Sequence, residues 1–340
     1  MSAGWSAPPA EFSAALAKFA EEAGGAELRL RATRISQGFR GGQGSRETIR
    51  DGADALAYAL TRLPATYAAD MAALRALAEA RPDFAPQSLL DAGCGLGGAA
   101  VAARALWPRL AELTLFDRNA AFLRLLERLC AEEPLAGARI AKGDLTAPPE
   151  DLPAADLVVA SYALTEVPDE ALPATLSGLW RRSLGALVLV EPGTPRDYAR
   201  LMRARDLLIA AGASIAAPCP HAAPCPLIEG DWCHFAVRLP RSRDHKRLKG
   251  ADAPFEDEKF SYLAATRSTG SSVAARIVAP PKIFKWGTRL RLCVTNGIKE
   301  TNIEKRDKPG YRAIRKKIWG DAVDPPEGSQ DSRESQESEA

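Results

Sequence analysis

From residue 10 to about residue 80 apolar positions recur at three- and four-residue spacing, as in Leu56, Ala59, Leu60 and Leu63, against a background of Ala, Glu and Arg. That period predicts a run of amphipathic helices. Its one interruption, Ser36-Gln37-Gly38-Phe39-Arg40-Gly41-Gly42, reads as a glycine-rich connector rather than a loop lying over a ligand. From about residue 86 the pattern changes to short apolar runs: Ser88 to Asp91, Leu113 to Asp117, a weaker one near Ala138 to Gly143, Asp156 to Ser161, and Gly185 to Glu191. Helical stretches such as Ala120 to Cys130 and Glu170 to Arg182 separate them. Runs of this kind predict βαβ units and a doubly wound parallel sheet.

After a helix over roughly Tyr198 to Ala211 comes Pro218-Cys219-Pro220-His221-Ala222-Ala223-Pro224-Cys225-Pro226, too proline-rich for a helix or a central strand. A rigid loop is expected there. Trp232 to Leu239 and Phe260 to Thr266 read as strands, Arg238 to Gly250 as a linker, and Ala275 to Ile283, Arg289 to Val294 and Ile298 to Lys305 as a small β-rich unit. The last twenty residues lack the apolar side chains to fold and read as a disordered acidic tail. The expected division is therefore residues 1–85, helical; 86–267, a ligand-binding sheet with the cysteine loop; 268–320, a basic β-rich unit; and 321–340, the tail.

Composition changes this picture in three places. No stretch approaches the roughly 18 apolar residues of a membrane span. The first thirty residues carry Glu11, Glu21, Glu22 and Glu27 instead of a basic start and an apolar run, so a soluble cytoplasmic protein with no membrane partner is expected. The six cysteines, without a secretory signal, read as reduced thiols or metal ligands. The net charge of +2 hides an asymmetry: residues 238–320 hold 21 Lys or Arg against 8 Asp or Glu, an excess of +13. A basic surface confined to one module is the footprint of a nucleic-acid partner, and also of a merely solvated face. Its densest clusters are Arg241, Arg243, Lys246, Arg247 and Lys249, and Arg312, Arg315, Lys316 and Lys317.

The first strand runs into Leu89-Leu90-Asp91-Ala92-Gly93-Cys94-Gly95-Leu96-Gly97-Gly98 and then a helix. In such sheets ligands bind beyond the carboxyl ends of the strands, where glycines let the backbone approach. Gly93, Gly95 and Gly98 satisfy a dinucleotide spacing, while Gly93, Gly95 and Gly97 satisfy a methyltransferase spacing. Asp91 separates the two, since an acid there repels a pyrophosphate and suits the amino group of S-adenosylmethionine. Asp117 closes the second strand where a ribose lies, and Asp144 follows the third, where it would accept from an adenine amino group. The fold expected is thus α/β: a class I methyltransferase (Rossmann-like) doubly wound sheet with a helical N-terminal region and a small β-rich C-terminal unit. At the end of the fourth strand, Ala160-Ser161-Tyr162-Ala163-Leu164-Thr165-Glu166 lacks the Asn or Asp, prolines and aromatic of amino methylation. No catalytic residue is assigned.

Cys219, Cys225, Cys233 and Cys293 have intervals of five, seven and fifty-nine residues, unlike the paired two-residue gaps usual for structural zinc. Their rigid surroundings nevertheless suggest a tetrathiolate site for zinc or a four-iron cluster. Cys94 and Cys130 read as buried apolar residues.

In combination, Arg62-Leu63-Pro64-Ala65-Thr66-Tyr67, the glycine loop, Cys219-Pro220-His221 to Cys225-Pro226, Asp231-Trp232-Cys233-His234-Phe235 and Glu256-Asp257-Glu258-Lys259-Phe260-Ser261-Tyr262 resemble the mitochondrial small-ribosomal-subunit assembly factors of methyltransferase fold and their bacterial relatives. The resemblance covers most of the chain. It implies binding to the maturing small subunit and its ribosomal RNA, and a four-iron four-sulfur (4Fe-4S) cluster on the four cysteines just named. Glu256 to Lys259 reads as a solvated connection or a local ion-pair network. The first reading is an RNA-associated, S-adenosylmethionine-dependent class I methyltransferase acting on or near the small ribosomal subunit; the two others are a non-catalytic assembly factor using the same sheet, and a small-molecule methyltransferase with structural zinc, which leaves the basic module without a purpose.

Overall fold

The structure is a computed structural model that describes residues 7–22, 25–131, 133–228, 230–250, 252–269 and 273–324. Five helices open the chain: α1 (Ala10–Glu22), α2 (Gly25–Arg40), α3 (Ser45–Thr48), α4 (Gly52–Thr61) and α5 (Leu63–Ala80). The sheet follows as β1 (Ser88–Ala92), α6 (Gly98–Leu106), β2 (Glu112–Asp117), α7 (Ala120–Leu129), β3 (Arg139–Lys142), β4 (Ala155–Ser161), α8 (Leu172–Arg182), β5 (Ser183–Pro192), α9 (Pro195–Ala210), β6 (Ser214–Ala217), β7 (Phe235–Pro240), α10 (Arg243–Lys249) and β8 (Phe255–Thr266). Local chemistry sets several boundaries. Asn119 caps α7 by accepting from the Ala121 and Phe122 amides, and Pro64 sits in the first turn of α5. Leu113 to Phe116 are buried, as expected of a parallel strand covered on both faces.

Strand order is β3-β2-β1-β4-β5-β8-β6, with β7 paired to β8. Strands β1 to β5 are parallel, and β8 alone is inserted antiparallel between β5 and β6. This is the class I methyltransferase fold. One face is covered by α1, α2 and α4 to α7 in the larger apolar core, the other by α8 and α9 in a second core. A smaller sheet follows, made of β9 (Ala275–Ile277), β10 (Lys282–Ile283), β11 (Gly287–Val294) and β12 (Gly297–Glu304), then α11 (Lys308–Ile314) and β13 (Ala322–Val323). Its core holds Ile277, Leu290, Leu292, Ile303 and Ile314.

Two sequence expectations change. Arg238 to Gly250 is no linker: it is the end of β7 followed by α10, whose His245 and Leu248 are buried and which packs on α2. The expected acidic tail lies outside the described residues beyond 324, and its first part contains β13.

Candidate functional site

A cavity of about 380 Å³ opens at the carboxyl ends of β1, β2 and β4, within the size range of small-molecule sites. Asp91, Gly93, Gly95, Asp117 and Asp144 line it. Gly93, Gly95 and Gly97 have φ of +73°, +53° and +75°, and a Cβ on Gly93 would lie 2.7 Å from the Ala163 Cβ. Gly97 does not line the cavity. It forms the left-handed cap from which α6 starts, so its part is to shape the turn.

The acids differ in what they have to offer a ligand. Asp117 accepts from the Gly95 amide at 2.8 Å and the Asn119 amide at 2.7 Å, which fixes its carboxylate under the glycine loop. Burial nonetheless raises its pKa. Asp144 is committed elsewhere: burial works against its charge, but bonds from Thr146 and Arg118 hold it below the usual range. Asp91 is 1% exposed. One of its oxygens accepts weakly from the Ala100 amide at 3.3 Å, while Oδ1 is buried with no hydrogen-bond partner. Burial first, and the neighbouring Asp70 second, push its pKa well up.

Asp70 escaped the sequence reading. It stands on α5, hydrogen-bonds the Ser161 hydroxyl and lines the same cavity, and burial pushes its pKa up to about 7. The signal was a single acid in the otherwise apolar run Tyr67 to Leu74. Also missed was the roof, for the Ser36 to Gly42 stretch is more than a connector. Ser36 to Arg40 end α2, and Phe39, Gly42, Gln43, Gly44 and Ser45 line the cavity. Glu166 ties this roof down, accepting from the Ser45 amide at 2.7 Å and from Arg118 at 2.9 Å. Asn119 Nδ2 adds bonds to the Ser45 and Ile49 carbonyls, both 3.0 Å.

Beside the β4 end, Tyr162 is the one described non-glycine residue with positive φ, at 52°. Such conformations cost of order 1–3 kcal/mol and persist where the surroundings over-determine them. Here the Tyr162 hydroxyl donates to Glu258 at 2.8 Å, and Arg62 grips the same carboxylate with both terminal nitrogens at 3.0 and 3.1 Å. The acid-rich stretch is therefore an ion-pair network. Two more of its acids are paired: Asp257 with Arg238, and Glu256, which accepts from Arg241 and Lys249, so these two cations of the first basic cluster point inward.

The four cysteines come together. Cys219, Cys225, Cys233 and Cys293 line one apolar cavity of about 20 Å³, where the loop after β6 meets β11 of the small sheet. Burial raises the pKa of Cys219 and Cys233, and that of Cys293 to about 12. Tyr198 donates to Cys225 Sγ at 3.1 Å, and His221 Nε2 lies 3.5 Å from Cys293 Sγ. Two fully buried arginines brace the loop: Arg205 donates to the His221 and Ala223 carbonyls, and Arg276 to those of Pro218 and Gly320. Arg205 Nε and Arg276 Nη2 have no hydrogen-bond partner. Among the described residues, no group of three or more His, Cys, Asp or Glu side chains has the arrangement that holds a metal ion.

The family described as mitochondrial small ribosomal subunit Rsm22 matches residues 52–324. The chain belongs to the Rsm22 family. Among its relatives, the human mitochondrial ribosome assembly protein METTL17 is 30% identical over 311 residues, 82% of this chain and 66% of that protein. The mitochondrial Rsm22-cox11 tandem protein 2 of Schizosaccharomyces pombe is 26% identical over 78% of this chain and 42% of its own length. The chain thus spans just under two thirds of the first relative and less than half of the second. Among solved structures, magnesium protoporphyrin IX methyltransferase from Synechocystis PCC 6803 is 17% identical, with a TM-score of 0.40 over 61% of this chain and 85% of that one. An overlap that low carries no inference about ligand or reaction. The Rsm22 relationship overturns the cytoplasmic expectation, because the family and both relatives are mitochondrial. The acidic opening residues behind that expectation describe a sequence and not a compartment.

Proposed function

We propose that this Rsm22-family chain is an S-adenosylmethionine-binding assembly factor of the small ribosomal subunit. The observation that carries the ligand is the buried Asp91 Oδ1, unpartnered at the wall of the cavity: a buried acceptor without a donor is costly, and a ligand ammonium would satisfy it. Asp91 would hold the methionine amino group and Asp117 the ribose hydroxyls, with the Gly93 and Gly95 backbone against the ligand. Asp144 would meet the adenine amino group only by sharing its carboxylate with Arg118. When bound, S-adenosylmethionine supplies an electrophilic methyl group. This chain's residues orient the ligand and exclude water, with the Arg62–Glu258–Tyr162 network closing the side beside β4.

The small subunit as partner is supported by the family relationship, and its RNA by the +13 excess over residues 238–320. The four cysteines are proposed to hold a thiolate-bound metal centre, read as a 4Fe-4S cluster from the family resemblance, with zinc as the alternative. What supports an anionic centre there is the pair of buried guanidinium groups with unsatisfied N–H donors around the thiols. Calorimetry of the full chain decides the ligand. The wild type should bind S-adenosylmethionine, and Asp91→Ala should abolish the heat. Equal binding by both, or none by the wild type at millimolar ligand, removes the reading. Transfer of a labelled methyl to small-subunit RNA would replace a binding role with a catalytic one.

A further inference from the structure

The small sheet has one protruding corner. Lys282 and Ile283 of β10 pair with Arg289 and Thr288 of β11, and the Phe284 amide donates to the Gly287 carbonyl at 2.8 Å, so Phe284-Lys285-Trp286-Gly287 is a tight hairpin tip. Gly287 is fixed by crowding: a Cβ there would stand 2.1 Å from the Ile303 carbonyl oxygen. The Lys305 amide donates to the Trp286 carbonyl at 2.9 Å, binding the tip to the strand behind it.

On this tip the Phe284 and Trp286 rings stack with centroids 5.0 Å apart and planes 8° from parallel. They remain 36% and 41% exposed beside the exposed Ile283, whereas Ile277, Leu290, Leu292 and Ile303 of the same sheet are buried in its core. Directly opposite residues of an antiparallel pair share a face. Lys282 and Arg289 therefore stand beside the rings, and the Arg289 guanidinium lies 5.6 Å from the Phe284 centroid. Lys285 and Lys305 are exposed at the tip, and the nearby Glu304 is already paired with Arg306. A flat exposed π-surface ringed by cations fits a nucleobase with phosphates on either side, because every base has a π-face and every linkage a negative charge. It suits a protein partner poorly, since the core of such interfaces is depleted in lysine. Base faces are accessible only where they are unstacked, which selects single-stranded segments.

We propose that the β10–β11 hairpin tip is a base-stacking site for single-stranded RNA, with Trp286 and Phe284 as the platform and Lys282, Lys285, Arg289 and Lys305 on the phosphates. The RNA class rests on the small-subunit reading above; the site rests on the hairpin. The test is titration of the full chain with a fluorescently labelled 12-nucleotide single-stranded RNA of mixed sequence, and with an abasic strand of the same length. Phe284→Ala combined with Trp286→Ala should weaken binding about ten- to a hundred-fold with the salt slope unchanged. Lys282→Ala combined with Lys285→Ala should lower that slope by about 1.4. The abasic strand should bind the wild type no better than the intact strand binds the aromatic variant. An aromatic variant that binds like the wild type, or an abasic strand that binds as tightly as the intact one, overturns the stacking site while leaving the small-subunit reading in place. A wild type that binds neither the RNA nor isolated small subunits overturns both.

Discussion

Replacing Asp70 with Asn should make the ligand-free protein more stable at neutral and alkaline pH and leave it unchanged in acid. The carboxyl is buried on α5, hydrogen-bonded to the Ser161 hydroxyl, and its pKa rises from 3.8 to about 7 because burial disfavours the charge. The folded state therefore holds a proton that the unfolded chain has released between about pH 4 and pH 7. Stability associated with that proton is complete below pH 4 and is lost as pH climbs through 7. At about 1.4 kcal/mol per unit, a shift of about three units amounts to about 4 kcal/mol by pH 8. Asn presents the neutral shape, can still accept from Ser161, and escapes the loss. Urea unfolding at pH 3.5 and pH 8 measures it directly. The variant should match the wild type at the lower pH and exceed it by several kcal/mol at the higher. Parallel pH dependences would refute the claim that this acid is forced to ionise in a dry site.

Three other outcomes follow from the same geometry. Arg62→Met leaves the Glu258 carboxylate buried beside Tyr162 without its cation, and should cost about 3 kcal/mol in chemical denaturation, whereas a surface pair would cost under 1. Cys293→Ser should strip iron and broad visible absorbance from anaerobically purified protein; a colourless wild type carrying one zinc would keep the four-thiol geometry and discard the cluster. Alanines at the exposed Arg312, Arg315 and Lys316 should lower the salt slope of small-subunit RNA binding by about 2, while alanines at Arg241 and Lys249 should leave the slope and reduce stability, because both cations hold Glu256.

What the sequence revealed tracks how local each feature is. The glycine loop, Asp91 and Asp117 were legible because a strand, a tight turn and a helix occur within thirty residues, and each type has its own periodicity. The four cysteines were legible through the prolines around three of them, yet nothing in the spacing shows that Cys293 returns to them across fifty-nine intervening residues. Asp70 was invisible as a site residue because its partners, Asp91 and Ser161, arrive only through packing of α5 against the sheet. The basic run from Arg241 to Lys249 looked like a linker because its charge masks two inward residues, His245 and Leu248. Its inward cations are neutralised by Glu256, seven residues past the run, a compensation no local window can contain.

The reversed strand has a consequence for the order in which this protein can be made. Strand β6 ends at Ala217 and joins the sheet only through β8, which ends at Thr266, so 49 further residues must emerge before β6 has a neighbour. At the usual 5–20 residues per second that is a wait of roughly 2 to 10 s. Throughout it β5 also lacks its β8 neighbour, and an unpaired strand edge is a template for other backbones. The cysteine loop is synthesised inside this interval, so Cys219, Cys225 and Cys233 are open to the proposed metal centre before the small sheet and Cys293 close over them.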